Sequence, residues 1–215
     1  MTSNSLLLVT GTAALSDALD RLGIAGQCLG LRARSGYDLA GPAYTVRYLP
    51  VGSRTGTVGD YIEDVPPGSV VVLDNGGRED VTVWGELLTA AAIARGVAGT
   101  VVYGAHRDSA SIRKLGYPIF STAVYMRTGK GRVYAADTGG PVQVGGVHVE
   151  PGDFVVADSD GVVILPRSRS DEVRRIAEEI REAETEIARL VSGGVTLRAA
   201  RETEGYHDLQ SRADR

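Results

Sequence analysis

Hydrophobic residues along the chain switch several times between helical and strand-like spacing. In residues 12–22 they recur every three or four positions until Gly23, which predicts a short amphipathic helix. Residues 41–51 alternate between two differently used faces and are typical of a strand. Residues 70–73 are four consecutive branched apolar side chains, so we expect a strand that is covered on both faces, as in the centre of a parallel sheet.

The segment that follows predicts a βαβ unit. A helix over about residues 84–95 precedes a second apolar strand at residues 100–103. The buried side of this helix is expected to comprise Leu87, Leu88, Ala91, Ala92 and Ala94. Such crossovers are right-handed, and ligands gather beyond the carboxyl ends of the strands. The loops at 74–77 and 104–108 are therefore candidates for a binding site.

The rest of the chain predicts more short strands and then a long helix. A Gly145-Gly146 pair between alternating segments predicts a hairpin over 142–149. From Asp171 an apolar stripe at helical spacing runs to Gly193-Gly194 and predicts the longest helix. The other predicted elements are a strand-like run at 6–9, a short helix at 110–115, and strands at 118–120, 154–157 and 162–165. We expect a single α/β domain over residues 1–197 and a charged tail or arm over 198–215.

Composition excludes several classes of protein. The chain has 215 residues, 43% of them hydrophobic, and a net charge of −4 with a pI near 5.4, so neither a nucleic-acid nor a membrane partner is expected. The 28 glycines, nearly twice the usual share of about 7%, follow no three-residue period and indicate turns. The single cysteine, Cys28, excludes an intramolecular disulfide, and no Cys/His cluster indicates structural zinc. Because the N-terminus lacks a basic region and a long apolar run, we expect a cytoplasmic protein.

Arg107 and Asp108 are the most specific candidates for chemistry. They follow a buried strand, where an arginine and a carboxylate can meet an anionic substrate together with a metal; the alternative is an ordinary surface ion pair. Glu86 lies 21 positions before Arg107, and the βαβ path returns the chain to the same sheet edge. Its alternative role is a favourable charge at a helix N-terminus. The unpaired first-turn amides at about Leu87 and Leu88 would suit a bound carboxylate.

Four segments occur in an order that matches a known family. They are residues 85–88, 103–108, 115–120, and 151–153 followed by 158–163. They resemble the class II 4-hydroxy-4-methyl-2-oxoglutarate/4-carboxy-4-hydroxy-2-oxoadipate aldolases, which belong to a wider family that includes the regulator of ribonuclease activity A. The resemblance covers about residues 10–195, and its specific part is an acidic residue, twenty residues, then Arg-Asp.

The resemblance implies a fold, a reaction and an assembly. The fold is a β/β/α swivelling domain with a βαβ core and a long C-terminal helix. The reaction is cleavage of a 4-hydroxy-2-oxo acid to pyruvate with Mg²⁺ or Mn²⁺, through a metal-stabilised enolate, with oxaloacetate decarboxylation as a side activity. The assembly is a homotrimer or hexamer whose site lies near a subunit interface.

The resemblance also implies roles for individual residues. Asp108 matches the direct metal ligand, and Glu86 matches an acidic residue that holds metal-bound water. Arg107 matches the residue that binds the pyruvyl carboxylate or carbonyl. The expected substrate-binding residues also include Gly85, Leu87, Leu88 and His106. A catalytic lysine is not required, and Lys114 and Lys130 have no apolar setting that would lower a pKa.

Three features of the resemblance leave alternatives open. His106 replaces the small or β-branched residue that is usual before the Arg-Asp pair, so it is either a histidine packed beneath the loop or a proton donor or specificity element. An acidic residue of the neighbouring subunit's C-terminal helix reaches the site in the family, and Glu182, Glu184 and Glu186 are either candidates for it or a solvated face. The alternative function is a non-catalytic regulator that binds a ribonuclease, but retention of Asp108 and Glu86 favours an enzyme.

Overall fold

A mixed sheet of ten strands forms the centre of the computed structural model, which describes residues 10–209. The strand-like run predicted at 6–9 lies outside this range. Two further strands form a separate hairpin. The twelve strands of the described range are β1 Gln27–Cys28, β2 Arg32–Ser35, β3 Leu39–Pro50, β4 Val70–Asp74, β5 Thr82–Trp84, β6 Gly99–His106, β7 Ile119–Val124, β8 Val133–Thr138, β9 Val142–Val144, β10 Val147–Val149, β11 Phe154–Ala157 and β12 Val162–Leu165.

Parallel strands occupy the middle of this sheet. Its order is β1-β12-β11-β3-β4-β6-β7-β2, and β3, β4, β6 and β7 pair in parallel. The flanking pairs are antiparallel. Two strands lie off this order: β8 pairs antiparallel with β3, and the short strand β5 pairs in parallel with the end of β6. Along β4, Val71 and Leu73 enter one apolar core while Val70 and Val72 enter another. The prediction of a central strand that is covered on both faces is confirmed.

Six helices complete the described residues. They are α1 Thr12–Arg21, α2 Glu86–Ala94, α3 Ser109–Leu115, α4 Ser170–Ser192, α5 Leu197–Thr203 and α6 Tyr206–Leu209. Single turns of 3₁₀ helix occur at Asp60–Asp64 and Arg167–Arg169. The predicted βαβ core (β4, α2 and β6), the 142–149 hairpin and the long C-terminal helix are confirmed. Within residues 10–209 no helix is both long and apolar enough to cross a membrane.

Two details predicted for the crossover helix are wrong. Trp84 belongs to β5, where its carbonyl oxygen accepts a hydrogen bond from the Arg107 amide at 3.0 Å, so the helix begins at Glu86. Leu87 is 85% exposed and Ala94 is also exposed. Thr89 is buried instead, and its hydroxyl accepts a hydrogen bond from the Trp84 indole nitrogen at 2.8 Å. The start of the helix therefore turns Leu87 toward solvent beside the loop that follows β6.

Helices α1 and α4 pack together on one side of the sheet. Their core includes Leu15 and Leu19 from α1 and Ile176 and Ile180 from α4. Asp158 caps the start of α1 from 146 positions away, because its carboxylate accepts hydrogen bonds from the amide and the hydroxyl of Thr12 at 2.8 and 2.6 Å. This contact fixes the α1–α4 layer to the turn between β11 and β12.

The described part of the C-terminal segment is helical and lies against α4. The Tyr206 hydroxyl donates to the Glu184 carboxylate at 3.0 Å, and Ala200 of α5 is fully buried. Residues 210–215 lie outside the described range. The division of the chain into a domain over 1–197 and a tail or arm over 198–215 stays a prediction.

Candidate functional site

The short strand β5 brings the start of α2 to the end of β6. Trp84 of β5 pairs with His106, the last residue of β6, and the Arg107 amide donates to the Trp84 carbonyl oxygen. Arg107 and Asp108 follow directly, and Gly85 and Glu86 follow β5 on the other side. Glu86 and the Arg-Asp pair, which are separated by about twenty residues, therefore lie side by side at one edge of the sheet.

Asp108 sits against the N-terminus of α2. Its Oδ2 atom accepts a hydrogen bond from the backbone nitrogen of Glu86 at 3.0 Å and lies 3.6 Å from Nε of Arg107. Gly85 leaves room for this carboxylate, since a Cβ atom there would lie 2.6 Å from Oδ2. The amide and the guanidinium therefore both place positive charge or a hydrogen-bond donor beside this carboxylate.

The backbone of Asp108 is in the left-handed region, with φ 60° and ψ 32°. No other non-glycine residue of the described range has positive φ. Aspartate tolerates this conformation better than most residues, but it still costs free energy on the order of 1 kcal/mol. Such strain often accompanies functional sites. Here the left-handed backbone accompanies the contact between the Asp108 carboxylate and the N-terminus of α2.

A cavity of about 520 Å³ opens in front of these residues. Arg107, Asp108, Gly85, Glu86, Leu87 and Leu88 all line it. The amides of Leu87 and Leu88 have no hydrogen-bond partner among residues 10–209, whereas the next amide, of Thr89, donates to Gly85. The cavity therefore combines a cationic side chain, two carboxylates and free first-turn donors on one wall.

Three further charged residues line the same cavity. Asp60 and Glu63 come from the 3₁₀ turn, and Lys130 comes from the loop before β8. A bridge between Thr82 and Thr128 brings that loop to β5. No local pattern predicts this arrangement, because the loop with Lys130 reaches β5 through pairing over 46 positions and the 3₁₀ turn packs against α2.

His106 lies beneath the loop and is fully buried. Its Nδ1 atom is 2.9 Å from the Ser121 hydroxyl, and its Nε2 atom is 3.1 Å from the Ser109 hydroxyl. Burial, with a smaller contribution from the nearby Arg34 guanidinium, lowers the pKa of His106 to about 4, so the ring is neutral at pH 7. His106 does not line this cavity, which corresponds to the packed alternative; its assignment to substrate binding stays a prediction.

The donor set suits a hard divalent cation that keeps much of its water. Asp108 Oδ2 is held by the Glu86 amide, while Oδ1 has no hydrogen bond within the described residues. In the same range no group of three or more His, Cys, Asp or Glu side chains forms a metal cage. Mg²⁺ is commonly bound by one or two carboxylates, with water and substrate completing its shell. Asp108 and Glu86 fit such a cation.

The three acidic residues of α4 differ in their contacts. Glu184 accepts the hydrogen bond from Tyr206, and Glu186 accepts from Nε of Arg189 at 2.7 Å. Glu182 is exposed and makes no hydrogen bond or ion pair within residues 10–209. Of the three, Glu182 is the carboxylate that residues 10–209 leave free for another contact.

Comparison with known proteins gives a consistent picture. The family model described as RraA-like, Aldolase/RraA, matches residues 12–164. Protein DlpA of Legionella pneumophila is 44% identical over 204 residues, which are 93% of this chain but 33% of that protein. The chain therefore spans about a third of the length of DlpA.

Two further proteins match over most of their own length. The 4-hydroxy-4-methyl-2-oxoglutarate aldolase of Thermus thermophilus is 34% identical over 58% of this chain and 76% of that enzyme. The structure of Streptomyces coelicolor RraAS2, described as an unusual member of the RNase ES inhibitor RraA protein family, superposes with a TM-score of 0.74 and 30% identity, covering 83% of this chain and 93% of that one. The expected fold is confirmed, and the chain belongs to the RraA-like Aldolase/RraA family.

Proposed function

We propose that this protein is a divalent-metal-dependent aldolase that cleaves a 4-hydroxy-2-oxo acid of the 4-hydroxy-4-methyl-2-oxoglutarate type to pyruvate. Oxaloacetate decarboxylation is its proposed side activity. The observation that carries the proposal is the convergence of Arg107 and Asp108 on the first turn of α2 inside one cavity. The aldolase name of the Thermus relative supports the same reaction.

The proposed reaction requires that negative charge be stabilised at the substrate's C2 carbonyl oxygen. The C4 hydroxyl loses its proton to water and becomes the carbonyl of the second product, while the C3–C4 bond breaks and its electron pair moves toward the C2 oxygen. The resulting pyruvate enolate then takes a proton at C3. Decarboxylation of oxaloacetate reaches the same enolate, because the electron pair of the bond to the departing CO₂ moves to the same oxygen. One charge-stabilising site therefore serves both reactions.

The residues of the cavity can divide this work. The free amides of Leu87 and Leu88 suit the pyruvyl carboxylate, because first-turn amides at a helix N-terminus favour anions. Arg107 supplies a fixed positive charge and planar donors for the carboxylate or the carbonyl oxygen. Asp108 and Glu86 would hold Mg²⁺ or Mn²⁺, the proposed cofactor. When bound, such a cation supplies Lewis-acid stabilisation of the developing negative charge.

We further propose a homo-oligomer, a trimer or hexamer, in which a neighbouring subunit contributes to the site. Glu184 and Glu186 are engaged within their own chain, which favours Glu182 as the contributed carboxylate. The mass in solution tests the assembly, since a monomer that is fully active would contradict a shared site. Loss of activity in Glu182→Gln, with full activity in Glu184→Gln, would identify the residue.

Release of pyruvate from a panel of 2-oxo acids tests the proposed function. We expect the wild-type protein to release pyruvate from 4-hydroxy-4-methyl-2-oxoglutarate and from oxaloacetate with Mg²⁺ or Mn²⁺. This release should stop when EDTA is added. Asp108→Ala should lose at least ~10²-fold in kcat, the usual cost of removing a group that stabilises transition-state charge. Asp80→Ala is the matched control, because Asp80 pairs with Arg78 outside the cavity.

The alternative function makes the opposite prediction. A regulator that only binds a ribonuclease would release no pyruvate from any substrate of the panel, with or without metal. The wild-type protein and Asp108→Ala would instead inhibit a ribonuclease equally well. That pair of results would overturn the aldolase proposal.

A further inference from the structure

A hydrogen-bond network, buried at one end and partly buried at the other, runs beneath the Arg107-Asp108 loop and has no part in the reaction as described. It joins Ser109, His106 and Ser121, with distances of 3.1 Å and 2.9 Å to the two ring nitrogens of His106. The ring is completely buried. A histidine that is fully enclosed and bonded at both nitrogens is held in one orientation.

The donors and acceptors of this hydrogen-bond network can be assigned by starting at Ser121. The Ser121 hydroxyl donates to the Ala123 carbonyl oxygen at 3.0 Å, so its oxygen is left to accept. It accepts from Nε of Arg34 at 3.3 Å and from Nδ1–H of His106. With its proton on Nδ1, the neutral ring presents a lone pair at Nε2, and the Ser109 hydroxyl donates to it.

Ser109 connects this hydrogen-bond network to Asp108. It is the first residue of α3 and directly follows Asp108, the left-handed residue that turns the chain from β6 into the helix. On the strand side of this turn, the hydrogen bond from Arg107 to Trp84 fixes the backbone. On the helix side, the Ser109 side chain is fixed by His106. Both ends of the strained residue are therefore held.

We propose that His106 is a positioning residue that holds Asp108 in its left-handed conformation through the Ser109 hydroxyl. Without this contact Asp108 relaxes toward negative φ, and its carboxylate leaves the N-terminus of α2. The inference rests on the proposed function only for its catalytic consequence; the conformational claim stands alone. His106 does not line the cavity, so it acts through Asp108 rather than on substrate.

Two substitutions of the same histidine separate positioning from general stability. His106→Gln places an amide oxygen near the position of Nε2, where it can accept from Ser109. The shorter side chain of His106→Asn can bond to Ser121 but not to Ser109. Ser109→Ala removes the contact between Ser109 and His106 from the Ser109 side, which is partly exposed, so folding is least affected. Thr100→Val is the matched control, because it deletes a buried hydroxyl of the same strand that bonds to Tyr117 and not to the loop.

Crystal structures and Mn²⁺ affinity measured by electron paramagnetic resonance are the readouts. In Ser109→Ala and His106→Asn we expect Asp108 to leave positive φ, its contact with the Glu86 amide to break, and Mn²⁺ to bind about tenfold or more weakly. His106→Gln should stay within about threefold of the wild type, and Thr100→Val should lower the melting temperature without changing Mn²⁺ affinity.

The outcomes distinguish this proposal from the proposed function. If Asp108 keeps φ near 60° and its contact with Glu86 in both Ser109→Ala and His106→Asn, the positioning role is wrong. If Asp108 moves in those variants but the wild-type protein releases no pyruvate, the positioning role stands and the aldolase proposal fails. If the wild type binds no Mn²⁺, the position of Asp108 in the crystal structures still decides the conformational claim.

Discussion

The Asp108 carboxylate accepts a hydrogen bond from the Glu86 backbone nitrogen at 3.0 Å, across 22 positions of sequence. This contact joins the loop after β6 to the first turn of α2. It orients Oδ2 toward the helix and leaves Oδ1 without a hydrogen bond among residues 10–209. The relationship depends on a glycine, a left-handed aspartate and a short strand, each of which can be altered separately.

Gly85→Ala is expected to displace the Asp108 carboxylate without unfolding the protein. The added Cβ would lie 2.6 Å from Oδ2, and Gly85 itself has an extended backbone that alanine can adopt. A displacement of about 1 Å can cost on the order of 10²-fold in rate, so kcat for pyruvate release should fall by that order while the melting temperature changes little. Gly52→Ala is the control, since nothing lies within 4 Å of its added Cβ. Equal activity of the two variants would contradict the steric role of Gly85.

Arg107→Lys is expected to weaken substrate binding although the positive charge is kept. Lysine lacks the planar fork that can bind a carboxylate with two parallel hydrogen bonds. KM for oxaloacetate should therefore rise at least ~10-fold, with the metal requirement unchanged. Arg47→Lys, at an exposed pair with Asp137, should behave as the wild type. An unchanged KM in Arg107→Lys would remove Arg107 from the substrate site.

Asp158→Ala is expected to destabilise the fold and spare the chemistry. Its carboxylate accepts from the Thr12 amide, the Thr12 hydroxyl and the Asp160 amide, which makes it a cap for α1. Loss of such a cap lowers the free energy of unfolding by about 1–2 kcal/mol, measurable by urea denaturation. Asp158→Asn should lose less, because asparagine caps nearly as well. A loss of kcat at unchanged stability would show instead that Asp158 serves the reaction.

Cys28 is expected to react slowly with thiol reagents. Burial raises the pKa of its thiol to about 12, so at pH 8 only about one molecule in 10⁴ carries the thiolate. The rate of alkylation by iodoacetamide at pH 8 should therefore be about 10³-fold below that of a free cysteine, and should rise about tenfold per pH unit up to pH 10. A rate equal to that of free cysteine would contradict this environment for Cys28.

Much of the fold could be predicted because its signals are local. Residues 70–73 are apolar on both faces of one strand, the Gly145-Gly146 pair marks a hairpin turn, and the stripe after Asp171 keeps helical spacing to Gly193. Each pattern is complete within the element that it predicts. The βαβ path alone predicts that Glu86 converges with the Arg-Asp pair.

The remaining features depend on contacts between distant segments. The sequence pattern places Trp84 in a helix, because its pairing with His106 cannot be read from the residues around it. Asp60, Glu63 and Lys130 reach the cavity through contacts between segments that are distant in sequence, such as the bridge from Thr128 to Thr82. The left-handed Asp108 has no sequence signal either, since aspartate also occurs with negative φ in loops of every kind.

The central claim is that Asp108 binds the cation that the reaction needs. The most direct measurement is the initial rate of pyruvate release from 4-hydroxy-4-methyl-2-oxoglutarate as a function of Mn²⁺ concentration, for the wild type, Asp108→Ala and the control Asp80→Ala. We predict saturable activation by Mn²⁺ for the wild type and the control, and no activation at any Mn²⁺ concentration for Asp108→Ala. Full activity of the metal-free wild type, or the same activation curve for Asp108→Ala, would contradict it.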